Sequence, residues 1–176
     1  SDDLLEGVST AGGDLFATHL RNACNAVTRY KADGSGAVEI ALPNTTGSTG
    51  GFNGKFDATE VFYAFTSFTY PTSVYRYALG AGESTLFYAP DVDFDPAAYE
   101  SKQVFFPSKD GTMVPMFIVH KKGLALDGKR PTMLYAYGGF NISLTPSFST
   151  SNLLLLEQGG VYAMPNLRGG GEFGED

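Results

Sequence analysis

Between Asp14 and Tyr88, short runs of β-branched and aromatic residues are interrupted again and again by Gly, Asn and Asp. That grammar leaves little room for helices and predicts an antiparallel all-β unit. The expected strands are Asp14 to His19, Asn25 to Lys31, Ala37 to Pro43, Glu60 to Thr69, Ser73 to Ala78 and Ser84 to Tyr88. Asp33-Gly34-Ser35-Gly36 is the clearest hairpin signal, because its glycines supply the positive φ angles of a tight turn. In Val61 to Phe68 the aromatics are too dense for clean alternation, so this strand is expected to be covered on both faces. Successive four-strand units of this length fit the blades of a β-propeller, and a sandwich would read the same way.

After Pro90-Asp91-Val92-Asp93-Phe94-Asp95-Pro96, an acidic stretch bracketed by prolines, the pattern changes, and a domain boundary is expected there, dividing residues 1–92 from 93–176. Lys102 to Pro107 and Met113 to His120 read as a hairpin around Ser108-Lys109-Asp110-Gly111. Thr132 to Tyr137 then reads as a buried strand, Ser147 to Gln158 as a helix with capping residues at its start and glycine at its end, and Val161 to Asn166 as a second buried strand. Strand, helix and strand in that order predict a βαβ unit with a parallel pair.

Composition narrows the function classes. A chain of 176 residues that is 43% hydrophobic can bury a sizeable core. A net charge of -7, with no Lys/Arg block beyond Lys121-Lys122 and Lys129-Arg130, argues against a nucleic-acid partner. No apolar run approaches the roughly 20 residues of a membrane-spanning helix, and the N-terminal residues carry no export signal, so the expectation is a soluble chain with no membrane partner. One cysteine, Cys24, and two histidines, His19 and His120, make a metal site unlikely on ligand numbers alone, and no metal or cofactor is expected. Cys24 has no basic neighbour and reads as a structural thiol, and both histidines read as surface or structural.

Gly169-Gly170-Gly171-Glu172-Phe173-Gly174 matches G-x-G-x-x-G after an expected strand. Glu172 and Glu175 stand where a pyrophosphate would sit, so a sharp structural turn, with Arg168 paired to a nearby carboxylate, is the better reading. The nucleophile elbow G-x-S-x-G does not occur; Thr46-Gly47-Ser48-Thr49-Gly50 comes nearest and reads as a mobile polar loop. Tyr137 stands apart. It falls at the carboxyl end of an expected parallel strand, where open α/β sheets collect ligands, and Gly138 and Gly139 behind it have no side chains to block a substrate. A phenol there can donate to charge developing on a substrate oxygen, although position alone equally fits an amphipathic rim residue.

Four blocks, Phe105 to Thr112, Pro115 to Gly123, Tyr135-Ala136-Tyr137-Gly138-Gly139-Phe140-Asn141-Ile142-Ser143 and Asn166-Leu167-Arg168-Gly169-Gly170-Gly171-Glu172-Phe173-Gly174-Glu175, closely resemble the prolyl oligopeptidase family. Glu60 to Phe68 and Pro71 to Tyr77 resemble that family's propeller more loosely. The resemblance implies a β-propeller segment over residues 1–92, followed over 93–176 by the opening part of an α/β-hydrolase domain. It implies a serine endopeptidase that cleaves short peptides on the carboxyl side of proline, needs no cofactor and is expected in the cytoplasm, with the periplasm as the alternative. Tyr137 then matches the family's oxyanion-hole tyrosine, Phe140 a residue of the substrate pocket, Gly138, Gly139 and Asn141 their supporting loop, and Arg168, Gly169, Gly170 and Gly171 a structural turn. The family's Ser/Asp/His triad has no counterpart here, so the chain is expected to be an internal segment whose partners are the remaining segments of the same enzyme and short proline-containing peptides. A related oligopeptidase of other specificity and a non-catalytic β-rich interaction module remain the competing readings.

Overall fold

The structure is a computed structural model that describes residues 3–174, so Glu175 of the glycine-rich block lies outside the described residues. Three four-stranded sheets carry the fold. The first is an antiparallel meander of β1 (Leu4–Ala11), β2 (Asp14–Arg21), β3 (Cys24–Lys31) and β4 (Val38–Glu39). The second repeats that plan with β5 (Ser48–Gly51), β6 (Glu60–Ser67), β7 (Tyr70–Ala78) and β8 (Glu83–Tyr88). The third contains β9 (Tyr99–Pro107), β10 (Met113–Lys121), β11 (Thr132–Leu134) and β12 (Val161–Pro165), in the order β11-β12-β10-β9. Its β11 and β12 are parallel, joined through the helix α1 (Thr150–Glu157).

Period-2 alternation drives the first two sheets together. Phe16 on β2, Val27 on β3, Val61, Tyr63 and Phe65 on β6 and Tyr77 on β7 point to one shared core. Phe52 fills its centre, its ring centroid 4.4 Å from that of Tyr63 and 5.7 Å from that of Phe16. Each such fully buried phenylalanine contributes on the order of 1.5–3 kcal/mol relative to an exposed one.

Asp14 edges this core and is 5% exposed. Arg29 Nε donates to it at 2.6 Å, and Lys31 Nζ stands 3.3 Å away. Burial pushes the Asp14 carboxyl up, but these two cations outweigh burial and hold it below its ordinary value. A depressed folded-state value makes the contribution to stability present above the unfolded carboxyl pKa and lost as pH falls through the folded one. The difference in thermal midpoint between the native protein and an Asp14→Asn variant should therefore shrink on acidification from about pH 5 to about pH 2. A constant difference over that range would show that the pairing carries no such linkage.

A second core joins the tips of two hairpins to the third sheet. Asn22 and Ala23 form the β2–β3 turn with φ of 51° and 61°, and Ala23 is fully buried. It shares a cluster with Phe68 from the β6–β7 turn, Phe117 and Val119 from β10, Leu153 and Leu156 from α1, and Tyr162 and Met164 from β12. Hydrogen bonds frame the junction: Ser48 Oγ donates to the Pro146 carbonyl at 2.7 Å, the Phe148 amide to Thr66 Oγ1 at 3.2 Å, and Gln103 Nε2 to the Asn22 carbonyl at 2.7 Å.

Several expectations are corrected. Thr46 to Gly50 is no mobile loop, since Ser48–Gly51 is a strand paired to β6 and a Cβ on Gly47 would sit 2.2 Å from the Phe65 ring. The strand expected over Ala37 to Pro43 reduces to Val38–Glu39, extended only by the Ile40 amide donating to the Val27 carbonyl. The strand from Thr132 is neither long nor buried: regular pairing covers Thr132–Leu134, β11 is paired on one side only among the described residues, and Met133 and Leu134 on its two faces are 47% and 67% exposed. On β6, Phe62 is 40% exposed, so that strand alternates after all. The helix is shorter than Ser147 to Gln158, and Ser149 at its N-cap makes no side-chain capping bond. β1 went unforeseen.

Candidate functional site

The parallel pairing of β11 with β12 continues irregularly past Leu134. The Tyr135 amide donates to the Ala163 carbonyl at 2.9 Å, and Tyr137 forms a parallel bridge with Asn166. Tyr137 thus stands just beyond the carboxyl ends of both parallel strands, where chain ends and strand geometry open a crevice for ligands.

The loop that follows is fitted tightly to the glycine-rich turn. A Cβ on Gly138 would lie 2.5 Å from the Arg168 carbonyl oxygen, and one on Gly169, which has a φ of +95°, would lie 2.8 Å from that of Gly138. Only glycine on both sides lets these two backbones meet. The Asn141 amide donates to the Gly169 carbonyl at 3.1 Å, and Gly171 lies against Asn141 and Ser143. Phe140 and Asn141 are both left-handed, with φ of 54° and 56°. Such conformations cost non-glycine residues on the order of 1–3 kcal/mol each and persist where surrounding contacts over-determine them. Their result here is that the Phe140 ring projects almost wholly into solvent, 92% exposed, beside a Tyr137 that is 37% exposed. The Tyr137 ring runs along Gly139, its hydroxyl 3.6 Å from where a Cβ on that glycine would be.

Two side chains on the turn brace this loop. Glu172, 3% exposed, accepts from the Leu144 amide at 2.7 Å and from Asn166 Nδ2 at 3.0 Å, while Asn166 Nδ2 also donates to the Leu144 carbonyl at 2.8 Å. Arg168 turns outward. Its two terminal nitrogens donate to Asp110 at 2.6 and 3.0 Å and one also reaches Ser108 Oγ at 3.0 Å, tying the β9–β10 turn to the glycine run. The Arg168 guanidinium, helped by the Thr112 amide and hydroxyl, holds the Asp110 carboxyl well below the usual carboxylate range.

This arrangement does not cradle phosphate. Among the described residues no helix follows the glycine run, Arg168 is engaged by Asp110, and a carboxylate is folded into the turn. His120 is buried with Nδ1 2.8 Å from the Lys121 carbonyl, and the register of β10 on β12 puts it at the end of the sheet away from Tyr137. Burial pushes the Cys24 thiol up to about 11, so it is protonated and inert at neutral pH. Among the described residues no cluster of three His, Cys, Asp or Glu could hold a metal, and no helix is long and apolar enough to cross a membrane. The structure therefore brings Tyr137, Gly138, Gly139, Phe140 and Asn141 onto one loop and seats Arg168 to Gly171 against it. Asn166 and Glu172, whose parts in the loop went unforeseen, join the two.

Residues 1–90 match the family model of the prolyl oligopeptidase N-terminal beta-propeller domain. The chain is 46% identical over 168 residues to a prolyl endopeptidase of Elizabethkingia miricola, covering 96% of this chain and 24% of that protein. It is 33% identical over 175 residues to dipeptidyl aminopeptidase BI of Pseudoxanthomonas mexicana, covering 98% and 24%. Among solved structures, one of two prolyl endopeptidases studied for inter-domain dynamics superposes with a TM-score of 0.91 at 43% identity, over 99% of this chain and 26% of the other. A prolyl oligopeptidase B from Galerina marginata bound to a 35mer hydrolysis and macrocyclization substrate gives 0.88 at 32% identity, over 99% and 25%. The chain spans about a quarter of the length of these relatives.

Proposed function

The chain belongs to the prolyl oligopeptidase family, and on that premise we propose that it works within a serine endopeptidase cleaving short peptides on the carboxyl side of proline. In this reading residues 1–92 are blades of the β-propeller and 93–176 open the α/β-hydrolase domain, where β11, α1 and β12 begin the parallel sheet. The activated serine, with its histidine and aspartate, belongs to the remaining segments of the enzyme. The apolar face of the third sheet at Met116, Ile118 and Leu134, which forms an open groove, supports the expectation that such segments cover it.

The observation that carries the proposal is Tyr137, a half-exposed phenol at the carboxyl end of a parallel strand, held along Gly139. When serine attacks the proline carbonyl, negative charge gathers on the carbonyl oxygen, and the Tyr137 hydroxyl donates to it. Phe140 supplies an apolar wall for the substrate. Gly138, Gly139 and Asn141 give the loop its shape, and Arg168 to Gly171 hold the turn beneath it. No cofactor takes part.

The complete enzyme should release the chromophore from a proline-linked reporter peptide at least about a hundredfold faster than from its alanine counterpart, and should take up one serine-directed fluorophosphonate per chain. Equal rates would favour the other specificity represented by the dipeptidyl aminopeptidase relative. Absence of labelling together with absence of cleavage would leave the β-rich interaction module as the function.

A further inference from the structure

We propose that Glu172, acting with Asn166, is a positioning residue for the Tyr137 hydroxyl, and this rests on the reading of Tyr137 as the oxyanion donor. The segment from Tyr137 to Leu144 leaves the sheet and returns to it, and Asn166 meets it at both ends. Its backbone bridges Tyr137, and its Nδ2 donates to the Leu144 carbonyl at 2.8 Å. Glu172 closes the same staple from the other side, because one oxygen, Oε1, accepts from both the Leu144 amide and Asn166 Nδ2. Between those pinned ends lie the two left-handed residues Phe140 and Asn141, whose backbone would relax if the ends were released.

Two further observations show that the turn is built around this carboxylate. A Cβ on Gly170 would lie 2.2 Å from Glu172 Oε2, so the glycine leaves the space the carboxylate fills. Asn166 Oδ1 is buried with no hydrogen-bond partner among the described residues. Leaving an acceptor dry is unfavourable, yet turning the amide over would aim that oxygen at the Leu144 carbonyl and the Glu172 carboxylate. The amide is therefore fixed in the orientation that staples the loop. A buried carboxylate with two neutral donors adds nothing obvious to a turn that already has Arg168 to anchor it. What it does fix is where the loop behind Tyr137 runs, and so where the phenol rests along Gly139.

The test is a double-mutant cycle in the complete enzyme, with rates normalised to fluorophosphonate-labelled sites so that misfolded protein does not count. Glu172→Ala should lower kcat about tenfold or more with KM changed less than about threefold, because the misplaced hydroxyl acts on the transition state. In a Tyr137→Phe background the same substitution should cost less than about twofold, since there is no hydroxyl left to position. Glu172→Gln keeps an oxygen that can accept both hydrogen bonds and should restore kcat to within about threefold of the native enzyme. If Glu172→Ala does not fold, Gly170→Ala displaces the carboxylate without removing it and should show the same coupling. An equal fractional loss in both backgrounds, or full activity of Glu172→Ala, overturns the positioning role while leaving the oxyanion reading standing. A Tyr137→Phe variant that keeps native turnover overturns the oxyanion reading and this inference with it.

Discussion

Replacing Tyr137 with phenylalanine in the complete enzyme should lower kcat about a hundred- to a thousandfold while leaving KM within about threefold. The substitution removes one hydroxyl and nothing else. The ring that runs along Gly139 stays, so the loop keeps its packing, and Phe140 keeps its place at the rim. A hydroxyl that donates only once the carbonyl oxygen has gained charge contributes to the transition state and hardly to ground-state binding, which places the loss in kcat. Tyrosine at this position as a mere amphipathic rim residue would give the opposite pattern, with turnover preserved and at most a small change in KM. Steady-state kinetics on a proline-linked reporter peptide separates the two.

Phe52→Ala should lower the local stability of the first two sheets by about 3–5 kcal/mol. Phe52 is fully buried and stacked between Phe16 and Tyr63, which in turn stacks on Tyr75 with centroids 5.4 Å apart. Deleting the ring opens a cavity beside three aromatics, Phe16, Tyr63 and Tyr75, whose strands, β2, β6 and β7, cannot close on it without losing register. Alanine also inherits the positive φ of 59° without the contacts that hold phenylalanine there. Native-state hydrogen exchange at the Tyr63 and Phe65 amides reads the loss directly. Protection unchanged from the native protein would mean that the core re-packs around the gap.

Phe52 also illustrates where the sequence was readable and where it was not. The hairpins at Asp33 to Gly36 and Ser108 to Gly111 were legible because their turns need glycine and their flanks alternate, and Val161 to Asn166 because a strand buried on both faces is written in apolar residues throughout. Phe52 sits among glycines and asparagine, with no periodicity to mark it, and becomes a core residue only because Tyr63 faces it from the paired strand β6 and Phe16 arrives from β2, a strand distant in sequence. β1 stayed hidden for the reverse reason. Leu4–Ala11 is largely exposed, and its pairing with β2 rests on backbone hydrogen bonds that any composition can make. At the candidate site, Tyr137 was placed correctly at the end of the parallel pair although the strand leading to it proved short and open to solvent. In the sequence Glu172 reads only as an obstacle to phosphate. Its partner is the amide of Leu144, 28 residues away, and no local pattern announces which carboxylate a fold will bury against a distant loop.

Hairpin tips are ordinarily where a protein tolerates additions, since they lie in solvent and few contacts depend on them. The tips at Ala23 and Phe68 break that rule, being roofed by Phe117, Leu156 and Tyr162. Extra residues introduced there would have to be swallowed by the joint between the third sheet and the other two, whereas the tip at Asp33 to Gly36 is exposed and can be lengthened. Over evolutionary time, length variation along this chain should therefore collect on the sides of the blades that face away from the third sheet. Tags and reporter insertions belong there too.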